Sequence, residues 1–221
     1  LNFFTKKTVA LPDYWMEYTA TFNKKIPENI DEITFVVLDT ETTGFSYAED
    51  RMLCIGAIKL HSQRISIKDG FEVFIEQQVY GKESAKIHGI LKNETIPRVS
   101  ELEALQEFLI YLGNSVIVAH HTMFDITMIN TALLRHGLPN LKNSTLDTSA
   151  LYKKTLIKSN LLSRKDNYSL DELADKFSIS KKDRHTAMGD AYITAILFLK
   201  ILTKLKEKRI FMILSLKWLL K

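Results

Sequence analysis

The chain has 221 residues, 46% of them hydrophobic and 25% charged, which fits a globular domain with a real core and excludes a disordered or fibrous protein. Its one cysteine, Cys54, excludes an internal disulfide and lies in the apolar run Met52 to Ile58, where a buried core thiol is expected. The net charge of +4 is unevenly spread, −5 over residues 1–139 and +9 over residues 140–221, so the basic end suits either a polyanionic partner or solvated helix faces.

No N-terminal stretch has the pattern of a secretory signal, and the apolar stretch Ile210 to Leu216 is too short to span a bilayer. A cytoplasmic location without membrane contact is therefore expected. Residues 1–30 read as an N-terminal extension. Within it, Tyr14, Trp15, Tyr18 and Phe22 predict a short helix laying an aromatic stripe on the body. Residues 31–206 read as the main domain and 207–221 as an apolar tail. The tail either packs on its own body, against the aromatic stripe, or serves as a partner interface.

The run Thr34-Phe35-Val36-Val37-Leu38 predicts a central strand buried on both faces, ending in Asp39-Thr40-Glu41-Thr42-Thr43-Gly44. Asp39 and Glu41 are two residues apart, so a strand turns both carboxylates to one side. Two acids in that position repel each other and are costly to remove from water, and a divalent cation relieves both problems. Two solvated acids leading into a turn are the bland alternative, so the rest of the chain has to decide.

Strands are predicted over Met52 to Leu60 and Gly70 to Ile75, forming an antiparallel meander with the first. Glu83 to His88 reads as one or two helical turns stopped by Gly89. Ser100-Glu101-Leu102-Glu103 is a capping box that opens a helix with Leu102, Leu105, Phe108, Leu109 and Leu112 on its apolar face. Ser115 to Ala119 predicts a short buried strand, followed by a helix burying Ile126, Ile129, Ala132 and Leu133, and Leu146 to Leu151 a fifth strand running into a helix. Lys153 to Lys165 lacks periodicity and reads as a mobile basic segment. A second capping box begins at Ser169, and a long helix runs from about Thr186 to about Lys206.

Asp125 and Asp190 each fall in the first turn of a helix, where a lone acid commonly serves only the helix dipole. Their neighbours change that reading. Asp125 follows His120, His121 and Phe124, and Asp190 follows His185 by five residues, which places His185 on the loop before the helix.

Asp39-Thr40-Glu41-Thr42-Thr43-Gly44, then His121 with Phe124-Asp125, then His185 with Asp190 resembles the three motifs of the DEDDh, or DnaQ-like, exonuclease family. That family includes the proofreading epsilon subunit of bacterial DNA polymerase III, RNase T and oligoribonuclease. The resemblance runs from about Phe35 to about Leu202. It is supported by Ile87-His88-Gly89-Ile90, Leu146-Asp147-Thr148 and Tyr168-Ser169-Leu170. One departure is His121, where many members have Asn.

The resemblance implies an α/β, ribonuclease H-like fold: a five-stranded mixed sheet, three strands antiparallel and two parallel, flanked by helices. It implies that Asp39, Glu41, Asp125 and Asp190 hold two divalent ions, Mg²⁺ or Mn²⁺, about 4 Å apart, with His185 as general base. Thr40, Thr42, Phe45, His88, His121 and Phe124 are the expected substrate contacts. The implied activity is 3′→5′ removal of nucleoside monophosphates from nucleic acid ends, DNA ahead of RNA, with a DNA polymerase as candidate partner. An RNA-trimming exonuclease and a polymerase-associated subunit acting through partner binding are the alternatives. The basic segment around Lys153, Lys154 and Lys158 is a candidate phosphate track.

Overall fold

Strand β1 (Thr34–Thr42) lies between β2 (Met52–His61), its antiparallel neighbour, and β4 (Val116–Ala119), its parallel one. Apolar side chains therefore point both ways from it, as expected of a strand covered on both faces. The computed structural model describes residues 10–78, 80–91, 95–156, 165–208 and 215–220. With β3 (Arg64–Phe74) and β5 (Thr145–Asp147), the strands form one five-stranded mixed sheet in the order β3-β2-β1-β4-β5, in agreement with the expected fold class.

The third strand starts at Arg64, earlier than the expected Gly70. Its first half is largely exposed and carries Arg64, Lys68 and Asp69, so it lacks the apolar alternation that marks a half-buried strand. Hairpin pairing from His61↔Arg64 onward holds it instead. The turn residues Ser62 and Gln63 have φ of +49° and +60°, the left-handed pair that suits a two-residue hairpin. Ser62 Oγ and Gln63 Nε2 both donate to Asp31, at 2.9 Å each, which anchors the turn despite its lack of glycine.

Helices cover both faces. Helices α1 (Asp13–Ala20), α3 (Glu101–Leu112) and α4 (Met123–Arg135) pack on one, against Val36, Leu38, Ile117 and Ala119. Helices α5 (Thr148–Thr155), α6 (Leu170–Lys176) and α7 (Ala187–Lys208) pack on the other, against Phe35, Val37, Val116 and Val118. The short α2 (Lys82–His88) ends at Gly89 in the left-handed region, φ +73°. Both capping boxes, Ser100 with Glu103 and Ser169 with Glu172, are formed.

The aromatic stripe of α1 is buried through Trp15 and Tyr18. The Tyr18 hydroxyl donates to Asn143 Oδ1 at 2.5 Å and accepts from Lys142 N at 2.9 Å, and burial pushes its pKa up to about 12. The described part of the tail packs elsewhere. Helix α8 (Leu216–Leu219) buries Leu216 and Leu219 beside Ile30 and Ile33 on the α7 face, opposite the aromatic stripe. Residues 157–164 of the basic segment and 209–214 of the tail lie outside the described residues. Among those described, no helix is long and apolar enough to cross a membrane.

Gly56 sets how α7 meets the sheet. It pairs with Asp39 across β1 and β2, and a Cβ built there would lie 2.3 Å from the Ala187 carbonyl carbon and 2.4 Å from the Met188 nitrogen. Those are backbone atoms, so relief requires lifting the start of α7. Gly56→Ala is expected to destabilise the protein by about 1–3 kcal/mol, the usual cost of overpacking. Urea unfolding checks this: an unmoved midpoint at unchanged m-value would contradict the close approach.

Candidate active site

The strand alternation of β1 divides its C-terminal half between the two helical layers. Asp39 and Glu41 continue the Phe35 and Val37 side, toward α7, while Thr40 continues the Val36 and Leu38 side, toward α4. A register shift between Glu41 and Thr42 bends the strand at this end, as bulges beside functional sites commonly do. The first turn of α7, seated on Gly56, brings Asp190 to the same place. Asp39, Glu41 and Asp190 each offer a carboxylate oxygen, and these oxygens all lie within 4.8 Å of one another.

Asp125 joins them from the other layer. It is 4% exposed, and its Oδ1 accepts from Thr40 N at 3.0 Å and Thr40 Oγ1 at 2.8 Å. One strand residue thus locks the fourth acid while its two neighbours present the first two.

Burial raises the proton affinity of all four acids. It is the largest cause at Asp39, whose pKa stands well above the usual carboxylate range, with the charges of Asp125, Asp190 and Glu41 adding to it. Glu41 is pushed up to about 8, by burial first and the Asp190 charge second. Asp125 is pushed up to about 7 by burial, against the pull of the two Thr40 bonds. Asp190 is raised by burial and held back by the Arg184 guanidinium. Carboxylate oxygens so closely grouped, with Arg184 as partial compensation, suit a hard divalent cation.

His185 is exposed, in the left-handed region at φ +67°, on the loop before α7. Its backbone N–H points to Asp190 Oδ1 at 3.4 Å. His121 is also exposed and left-handed (φ +58°), with its ring edge-on to His120 at 4.4 Å between centroids. His120 is a framework residue. Its Nε2 donates to the Tyr168 carbonyl at 2.9 Å, Thr148 Oγ1 lies 2.8 Å from Nδ1, and burial lowers its pKa to about 4.

Of the expected substrate contacts, Phe45 is 82% exposed and its ring centre lies 5.9 Å from that of Phe124. Tyr47, which the motifs do not mark, joins the pair at 5.8 Å from Phe124. Thr40 and Thr42 are buried: Thr40 Oγ1 donates to Asp125, and Thr42 Oγ1 donates to Gly44 O at 2.7 Å. His88 is buried, with Nδ1 accepting from Ile90 N at 3.0 Å. It lines a cleft of about 780 Å³ on the β3 side of α7, together with Ile90, Cys54 and Gly189. Cys54 is the buried core thiol expected, its pKa raised by burial. Lys154 donates to Leu219 O at 2.8 Å and lies over the Trp218 ring, so it is engaged with the tail. Lys158 lies outside the described residues.

The sheet order is that of a ribonuclease H-like fold, with the gathered carboxylates at the end of its central strand. The chain belongs to the exonuclease family, whose model matches residues 36–198. It is 36% identical over 176 residues to a PolC-type DNA polymerase III from Caldanaerobacter subterraneus subsp. tengcongensis, and 32% identical over 182 residues to that of Clostridium perfringens. These matches cover 78% and 82% of this chain but only 12% of each polymerase. Among solved structures, it is similar to E. coli exonuclease I in complex with a dT13 oligonucleotide (TM-score 0.66, 19% identity, 81% of this chain and 43% of that one). Cell-death related nuclease 4 has a TM-score of 0.67 at 10% identity, covering 78% of this chain and 64% of that one. Both likenesses concern the fold.

The raised carboxyl pKa values have a thermodynamic consequence. In the unfolded chain Asp and Glu titrate near 4, so between about pH 4 and about pH 8 these acids bind more protons in the folded, metal-free protein than in the unfolded one. The stability this cluster contributes is therefore full at the acid end and is lost as pH rises through Glu41's value of about 8. Thermal melts of metal-free protein should fall from about pH 5 to about pH 8.5, less steeply in Glu41→Gln. Equal slopes in the two proteins would contradict the raised Glu41.

Proposed function

We propose that this domain removes nucleotides one at a time from the 3′ end of nucleic acid, DNA ahead of RNA. The observation that carries the proposal is the meeting of Asp39, Glu41 and Asp190 within 4.8 Å, with Asp125 locked beside them by Thr40. The four residues would hold two divalent ions, Mg²⁺ or Mn²⁺. Bound there, such ions supply an activated water and charge neutralisation at the leaving 3′-oxygen.

The remaining work falls to the chain's own side chains. His185 takes the proton of the attacking water, a role that histidine fills more often than any other side chain. Its loop position lets the ring reach the acids from solvent. The exposed rings of Phe45 and Tyr47, backed by the partly buried Phe124, would offer faces on which terminal bases stack without regard to sequence. His121, exposed on the same motif as Asp125, would meet sugar or phosphate.

DNA is favoured because the curated relatives are named as DNA polymerases, and this chain corresponds to a small part of them. The same relation supports work beside a polymerase. The four acids serve either nucleic acid, so RNA trimming is the second reading.

Digestion of a 5′-labelled single-stranded DNA and its RNA twin, with Mg²⁺, Mn²⁺ or EDTA, tests the proposal. A ladder shortening from the 3′ end, faster on DNA and abolished by EDTA, is expected. Asp125→Ala should lose at least about a hundredfold, since even an outer-shell partner of a metal ligand can cost that much. His185→Ala should lose about 10²- to 10⁴-fold, the usual worth of a general base. Equal digestion by wild type and Asp125→Ala would overturn the reading.

A further inference from the structure

Arg184 is the cation inside this acidic site. It occupies the turn between Asp183 and His185, both left-handed at φ +64° and +67°, and its side chain is only 19% exposed. Asp171, in the first turn of α6, grips it from behind with both oxygens: Nε to Oδ1 at 3.0 Å and Nη2 to Oδ2 at 3.2 Å. This is the two-pronged geometry that a guanidinium and a carboxylate share. The third nitrogen, Nη1, is thereby aimed forward. It pairs with Asp190 Oδ2 and lies 3.4 Å from His185 Nδ1.

A guanidinium cannot shed its proton at any working pH, so this charge is permanent. It acts on Asp39 and Glu41 as well as on Asp190, lowering the proton affinity of all three. A divalent ion among those carboxylates would have to share Asp190 with Nη1 and would be repelled by its charge.

We propose that Arg184 is a positioning residue that stands in for the metal, holding Asp190 in the metal-free protein and competing with the incoming divalent ion for that carboxylate. Metal entry then displaces Nη1 while Asp171 keeps the guanidinium tethered nearby. The metal affinity of the free protein is set lower than the carboxylates alone would set it. The inference rests on the metal-binding reading of the four acids.

The test is calorimetric titration of the whole chain with Mn²⁺, for wild type, Arg184→Gln and Asp190→Asn, with thermal melts alongside. Arg184→Gln should bind Mn²⁺ about tenfold tighter, the scale of one nearby like charge removed from a partly buried site. It should also melt lower without metal and gain more from Mn²⁺ than wild type does. A lower melting temperature with unchanged affinity would mean that Arg184 only supports the fold, and weaker binding would mean that it assists the metal. Either overturns the proposal. If Asp190→Asn binds Mn²⁺ as wild type does, the metal reading itself has failed and takes the proposal with it. Should Arg184→Gln not fold, the wild-type protein gives a second readout. The Arg184 side-chain N–H signals should shift on Mg²⁺ addition, and signals that stay in place would overturn the displacement.

Discussion

Crowding of negative charge around the end of one strand is the constraint on which the rest of this structure depends. Three carboxylates meet where β1 stops and a fourth, Asp125, acts on two of them from the other layer, and burial drives each toward its protonated form. No solvated surface would need such an arrangement, and a fold under selection for stability alone would avoid it. The surrounding structure holds the acids together against that cost. Thr40 spends its amide and its hydroxyl on Asp125, Gly56 lets α7 settle low enough to deliver Asp190, and Arg184 supplies positive charge.

The site lies on the seam between the two helical layers, and β1 is the element they share. Alternation along that strand gives Asp39 and Glu41 to the α7 layer and Thr40 to the α4 layer, so one short peptide reaches both. The loop from Asp183 to Thr186 adds the histidine, and Gly189 permits its tight closure: a Cβ there would meet the Asp183 carbonyl oxygen at 1.9 Å. Apolar packing fixes the strand and helices on which the acids sit, whereas His185, His121 and Phe45 are exposed on turns. Acids on rigid elements and exposed residues on loops are the division that the proposed activity would require.

Much of this was legible in the sequence, for identifiable reasons. A doubly buried strand such as β1 announces itself by an unbroken apolar run, and the two capping boxes mark their helices by spacing alone. Asp39, Glu41, Asp125 and Asp190 could be named because they stand at the ends of those elements within recognisable motifs. The first half of β3 was not legible, because it is a solvent-facing hairpin arm held by backbone pairing. The bond from Thr40 to Asp125 spans 85 residues and has no local signature. Thr40 and Thr42, expected at the substrate, are buried, with hydroxyls bonded to Asp125 and to the Gly44 carbonyl. Arg184 read as one more charge in a basic loop, since its worth comes from Asp171, 13 residues away on another helix. The tail's apolar character was plain, but the face it packs on was not, since its link to the body, the bridge between Asn29 and Ser215, spans most of the chain.

Anomalous diffraction from crystals soaked in Mn²⁺ with a nucleoside monophosphate tests the central claim most directly. The account predicts two peaks, both bounded by Asp39, Glu41, Asp125 and Asp190, with the phosphate of the nucleotide against them. Saturating Mn²⁺ that leaves these carboxylates without a peak, or places its peaks elsewhere, would contradict it.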